Sequence, residues 1–173
     1  MGGSLTTDAR PGWRLFARAG SLPALSSLHW CGPMELVFVA EGVPFWQEAQ
    51  ARALSLAGLA CEGTLYTPPG PVPLPLSIHV RAEAALSRLR ITAGETCFDL
   101  RGLGLAPGET LSIHHTPDGI LQIIEDGTGR SLLPYRTAES DDELLLATGC
   151  RNAITLQADG PVQAQIEVRG WMP

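Results

Sequence analysis

The chain has 173 residues, a formal net charge of −6, 45% hydrophobic residues and 17% charged ones. That length makes one ordinary domain with room for an extension. An acidic chain without a basic run is excluded from the classes that grip nucleic-acid phosphates, and no apolar run approaches the roughly 20 residues of a membrane-spanning helix, so neither nucleic acid nor membrane insertion is expected. All 12 basic residues are Arg, the cation favoured at protein interfaces, and the low charged fraction likewise points to surface covered by partners.

Residues 1–33 are rich in Gly, Ser, Thr and Pro, alternate weakly, and read as an arm or reduced subdomain ahead of a main domain over 34–173. The start, MGGSLTTDARPG, lacks the apolar core of a secretory signal. A helical turn or two is expected near Trp13 to Arg18. Trp13, Phe16 and Trp30 must pack on something, because burying a Trp removes about 150–250 Å² from water, worth roughly 4–6 kcal/mol at most.

From residue 34 onward the pattern changes to short alternating runs. MELVFVAE (34–41) sets Leu36 and Phe38 against Val37 and Val39, and GVPFWQE follows it. Pro44 cannot donate to a ladder, so the strand should end there and turn a corner. Phe45 and Trp46 are sequential and cannot both face the same way in an extended chain. One is expected to anchor the corner and the other to lie under the arm or at a subunit contact.

ARALSLAGLA (51–60) alternates cleanly, and TPPGPVP (67–73) is too proline-rich for a central strand, so it reads as a lead-in to LPLSIHVRA (74–82). LSRLRIT (86–92), ETCFDLR (95–101), ETLSIHH (109–115), GILQIIE (119–125), AITLQA (153–158) and VQAQIEV (162–168) continue the theme. Period-two alternation marks strands with one buried and one wet face. Ala93-Gly94, Pro107-Gly108, Asp118-Gly119, Asp126-Gly127 and Asp159-Gly160 supply turn chemistry between the runs. Strands at roughly 10-residue spacing argue for an all-β antiparallel sandwich or barrel.

Chemistry is harder to find. Cys31, Cys61, Cys97 and Cys150 form no CxxC, and His114 and His115 should point to opposite faces of a strand, one to solvent and one to the core edge. That spacing does not predict a metal site, and mostly buried thiols in a reducing compartment are expected. Glu139, Asp141, Asp142 and Glu143 could serve as a glycosidase pair, but a solvated acidic loop before a short apolar strand fits the run better. GxSxG and HExxH are absent, and GLGLAPG (102–108) is not followed by a helix, so it does not read as a phosphate cradle. No enzymatic activity, catalytic residue or cofactor is expected. Tyr66, Trp46, Tyr135 and Trp171 could stack sugars, although each also has a core or interface reading.

From about residue 36 to the end the chain resembles the distal tail protein family of long-tailed phages. The resemblance rests on an ordered series: LVFVAEGVPFWQE, a small-residue strand, LPLSIHV, ETCFDLRGLGLAPGETLSIHHTPDGIL, and SDDELLLATGCRNAITLQADGPVQAQIEVRGWMP. It implies a galectin-like or carbohydrate-module-like jelly-roll sandwich used as scaffolding in a tail tip or baseplate. It also implies assembly in the bacterial host cytoplasm, residence in the virion tail, and contacts with tail tube, tape measure, tip hub and receptor-binding proteins. The family's N-terminal belt forms a hexameric ring, and here the matching segment shortens to residues 1–33. In the family the Phe45-Trp46 corner marks the junction of belt and sandwich. The competing reading is a carbohydrate-binding module for host-surface glycans, with Tyr66, Tyr135 and Trp171 as stacking residues. A polysaccharide-active enzyme using residues 139–143 is a third.

Overall fold

In a computed structural model, residues 2–21, 37–40, 45–116 and 119–172 are described. They form β1 (Gly3–Leu5), β2 (Trp13–Ser21), β3 (Val37–Ala40), β4 (Trp46–Glu48), β5 (Arg52–Tyr66), β6 (Leu74–Ala82), β7 (Leu86–Ala93), β8 (Thr96–Leu105), β9 (Thr110–His115), β10 (Leu121–Glu125), β11 (Leu145–Leu146), β12 (Arg151–Val168) and β13 (Trp171–Met172), with a 3-10 turn at Leu133–Tyr135. All pairings among them are antiparallel. The all-β antiparallel sandwich expected from the sequence is the architecture found.

β12 organises the larger sheet. Its first half, Ile154–Ala158, pairs with β7, which pairs with β8. Its second half, Val162–Val168, pairs with β6, which pairs with β9 and through it β10. On its other side β12 pairs with β5 along almost its whole length. One 18-residue strand therefore belongs to both layers, and the 15-residue β5 follows it from one to the other.

The alternation predicts the buried faces well. In β6, Leu74, Leu76, Ile78 and Val80 are fully or almost fully buried, and Leu89, Ile91, Phe98, Leu100, Ile154, Leu156 and Ile166 meet them from neighbouring strands. Burying each Leu or Ile contributes about 1.5–3 kcal/mol. The 67–73 segment lies outside the strands, as its prolines require.

Three expectations need correction. Trp13 to Arg18 is not helical but the start of β2, because strand partners on both sides satisfy its backbone. The runs 153–158 and 162–168 are not two strands joined by a hairpin at Asp159-Gly160. They are one strand with an irregularity between Gln157 and Val162, where it crosses between layers. The Asp159 carboxylate accepts the Ser87 and Arg88 N–H groups at 3.0 and 2.9 Å, and a Cβ on Gly160 would sit 2.6 Å from the Ala85 carbonyl oxygen. Finally, the thiols are not mostly buried: Cys61 and Cys97 are half-buried and Cys150 is exposed, while Cys31 lies outside the described residues.

The seam between the outer edges of the layers is closed by the segment after β10. Arg130 donates to Glu125 on β10 at 2.8 Å and to the Leu103 carbonyl on β8 at 3.0 Å. Bridges at Ile124–Ser131 and Leu100–Arg136 lay the same segment along both strands. The acidic run completes the closure. Asp141 accepts the Cys97 N–H at 2.6 Å, and Glu139 sits 3.5 Å from both Arg90 and Arg101.

Candidate functional site

The second sheet is small and runs β1-β2-β4-β13, with β3 on the same side of β2 as β4. Its strands come from both sides of residue 33, since β3 and β4 pair with β2 and the C-terminal β13 pairs with β4. Among the described residues of β1 to β4, Ala17 alone is buried. A sheet normally gains stability by burying one face, and this one has little core of its own.

β3 shows the deficit most clearly. The sequence predicts one buried and one wet face over 34–41. Instead Val37, Phe38, Val39 and Ala40 are all exposed, with Val37, Phe38 and Val39 at 45%, 46% and 43%. Leu36 lies outside the described residues. Three consecutive large apolar residues exposed on both faces of a strand form a patch that water does not favour.

The junction with the sandwich is built around Glu48 at the end of β4. Its carboxylate accepts from Arg52 at 3.0 and 3.3 Å and from the Gly170 N–H at 3.0 Å, while the Glu48 N–H donates to the Gly170 carbonyl at 3.0 Å. Arg169 donates to the Glu48 carbonyl at 3.0 Å. Partial burial opposes ionisation of Glu48, but the hydrogen bonds from Arg52 and Gly170 outweigh it and hold the carboxyl below the usual carboxylate range. Gly170 is needed there because a Cβ would come within 2.6 Å of the Pro68 ring and 3.0 Å of the Glu48 side chain.

The aromatic residues singled out in the sequence distribute around this junction. Phe45 stacks on Trp171 with centroids 5.8 Å apart, and Trp171 packs against the sandwich core. Trp46 carries the Arg10 guanidinium over its ring at 5.3 Å. Trp13 and Phe16 are half-buried on β2, with Arg14 5.1 Å above Phe16. Trp30 lies outside the described residues. Of the sugar-stacking candidates, Tyr66 is 47% exposed but lies under Arg52 at 5.7 Å. Tyr135 lies beside Gly102 beneath Arg130, and Trp171 is covered by Phe45. Each ring already has a partner within the chain.

This two-sheet architecture has a counterpart among solved structures. The chain shares its fold with a phage tail protein. It is similar to the crystal structure of the SPP1 Dit protein (gp 19.1), described as a paradigm of the hub adsorption apparatus in phages infecting Gram-positive hosts, with a TM-score of 0.61 and 10% sequence identity. The match covers 98% of this chain and 65% of the SPP1 Dit chain, so this chain spans less than two thirds of that protein. No family model matches the sequence, and no curated protein matches it. At this identity the likeness establishes the fold, and the resemblance to distal tail proteins holds at that level. Sequence reasoning singled out Phe45 and Trp46 but missed Glu48 and Gly170. Their role depends on strands more than a hundred residues apart in sequence meeting at one point.

Proposed function

We propose that the chain is a structural, non-enzymatic subunit of a phage tail tip or baseplate, similar in role to distal tail proteins. It would scaffold between the tail tube and the tip or receptor-binding proteins. The likeness to SPP1 Dit over 98% of the chain carries this reading. The small sheet supports it independently, because a nearly coreless sheet with an exposed Val37-Phe38-Val39 strand gains burial by associating with further copies. The acidic run at residues 139–143 supports scaffolding over catalysis, since Glu139 and Asp141 bind the edge of the sandwich. Light scattering of the purified chain, paired with antibody labelling of the particle, tests the proposal. A mass several times the 18.4 kDa monomer and label at the tail end are expected. A strictly monomeric chain absent from tail ends would sink it.

A further inference from the structure

Between the small sheet and the sandwich lies a cleft of about 590 Å³, within the range of ligand-binding sites. One wall is aromatic, with Phe16 from β2, Phe45, and Trp171 from β13. Its polar groups are poorly matched to one another. Arg14 Nε is buried without a hydrogen-bond partner, and so are both ring nitrogens of His115. A buried donor or acceptor left unpaired costs about 1–3 kcal/mol, so three such atoms around one space require a reason. Arg169 also lines the cleft, with its guanidinium donating to the Glu48 carbonyl and its charge acting on the Glu48 carboxylate. Burial, and then the nearby Arg169 charge, lower the Arg14 pKa, and a negative partner would relieve both effects. Burial likewise lowers the His115 pKa, against an opposing influence from Glu143, so its neutral ring offers one donor and one acceptor. Glu143 and Glu167 stand on the same lining, and Glu167 already accepts from Gln165 at 2.7 Å.

We infer that this cleft is a docking site for an acidic side chain of a partner protein, presented on a short apolar peptide segment. The carboxylate would meet Arg14 and His115, and the flanking apolar residues would lie on Phe16, Phe45 and Trp171. Charge complementarity selects this occupant: the Arg14 guanidinium, with a buried Nε that finds no acceptor, stands beside an aromatic wall in a chain that is otherwise acidic. The inference stands on the cleft alone and does not depend on the tail assignment.

Calorimetric titration with N-acetyl-Leu-Glu-Leu-amide and its Gln twin tests it on the full chain. The Glu peptide is expected to bind roughly tenfold more tightly than the Gln peptide, the loss of one charge-assisted pair. Arg14→Gln is expected to abolish that difference while leaving the melting temperature unchanged. Equal binding of the two peptides to the wild-type chain, or no binding at millimolar concentration, would overturn the proposal, and neither result depends on a variant folding. Sodium acetate is the third arm. If it displaces the Glu peptide completely at equal concentration, the site holds a small anion and the peptide assignment fails.

Discussion

Asp99 on β8 has no exposed surface, yet it accepts from Arg101 at 2.6 Å and from Arg88 at 3.2 Å, and its N–H donates to Ser140 Oγ at 2.9 Å. Burial alone would raise its pKa, but the two guanidiniums, Arg101 ahead of Arg88, hold the carboxyl below the ordinary range. The folded-state pKa is thus lower than the unfolded value of about 3.9. The ionised group stabilises the fold above that value, and its contribution is lost as pH falls through the folded-state pKa. Asp99→Asn is expected to cost about 2 kcal/mol at neutral pH, because the hydrogen bonds lose their charge assistance. Thermal melts would show a fall of roughly 4–8 °C at pH 7, and the gap between variant and wild type should shrink below pH 4. A gap unchanged at low pH would refute the charge argument. The sequence marks the run ETCFDLR as a strand but not Asp99 as a buried ion, because its partners are set by register with β7.

At the scale of elements, alternation was enough to locate β5 to β10 and most of their buried faces, although in β8 and β9 Asp99 and Ser112 are buried between the apolar residues that flank them. It misled where a strand serves something other than one core. Trp13 and Phe16 are three apart, a helical spacing, but β2 lies between β1 on one side and β3 and β4 on the other, and lateral pairing overrides that local signal. Asp159-Gly160 is good hairpin chemistry, but β5 continues alongside, so the chain bends without reversing. Gly160→Ala is expected to destabilise the corner by about 1–3 kcal/mol through overpacking against Ala85, read as a lower denaturation midpoint. In β3, Phe38→Asp is expected to leave the melting temperature nearly unchanged, since the side chain is already exposed, while reducing the mass seen by light scattering. A variant with wild-type mass would remove β3 from the interface.

In the whole molecule, the small sheet is tied to the sandwich through the Glu48 cluster and the Phe45–Trp171 stack. Glu48→Ala is expected to leave the Gly170 N–H and the Arg52 guanidinium without their acceptor and to speed amide exchange in β2 and β4. Exchange in β6, β7 and β12 should be unchanged. Equal acceleration in both sheets would show that they open as one unit. This junction was only half legible in the sequence. Phe45 and Trp46 stand out in the sequence as neighbouring aromatics, but the clamp does not, because it joins β4 to a segment near the other end of the chain.

The strand shared by both layers also sets a clock on synthesis. β5 emerges from the ribosome long before β12, its only strand partner among the described residues, and at about 5–20 residues per second the wait is roughly 5–20 s. Throughout that interval β5 presents fifteen residues of small and apolar side chains with no ladder to join, apart from Arg52, Glu62 and Thr64. Neither layer can close before β12 arrives, so nascent chains halted before residue 151 should remain protease-sensitive along their whole length. Chains released beyond residue 168 should become resistant in a single slow step, as expected where the decisive contacts are far apart in sequence.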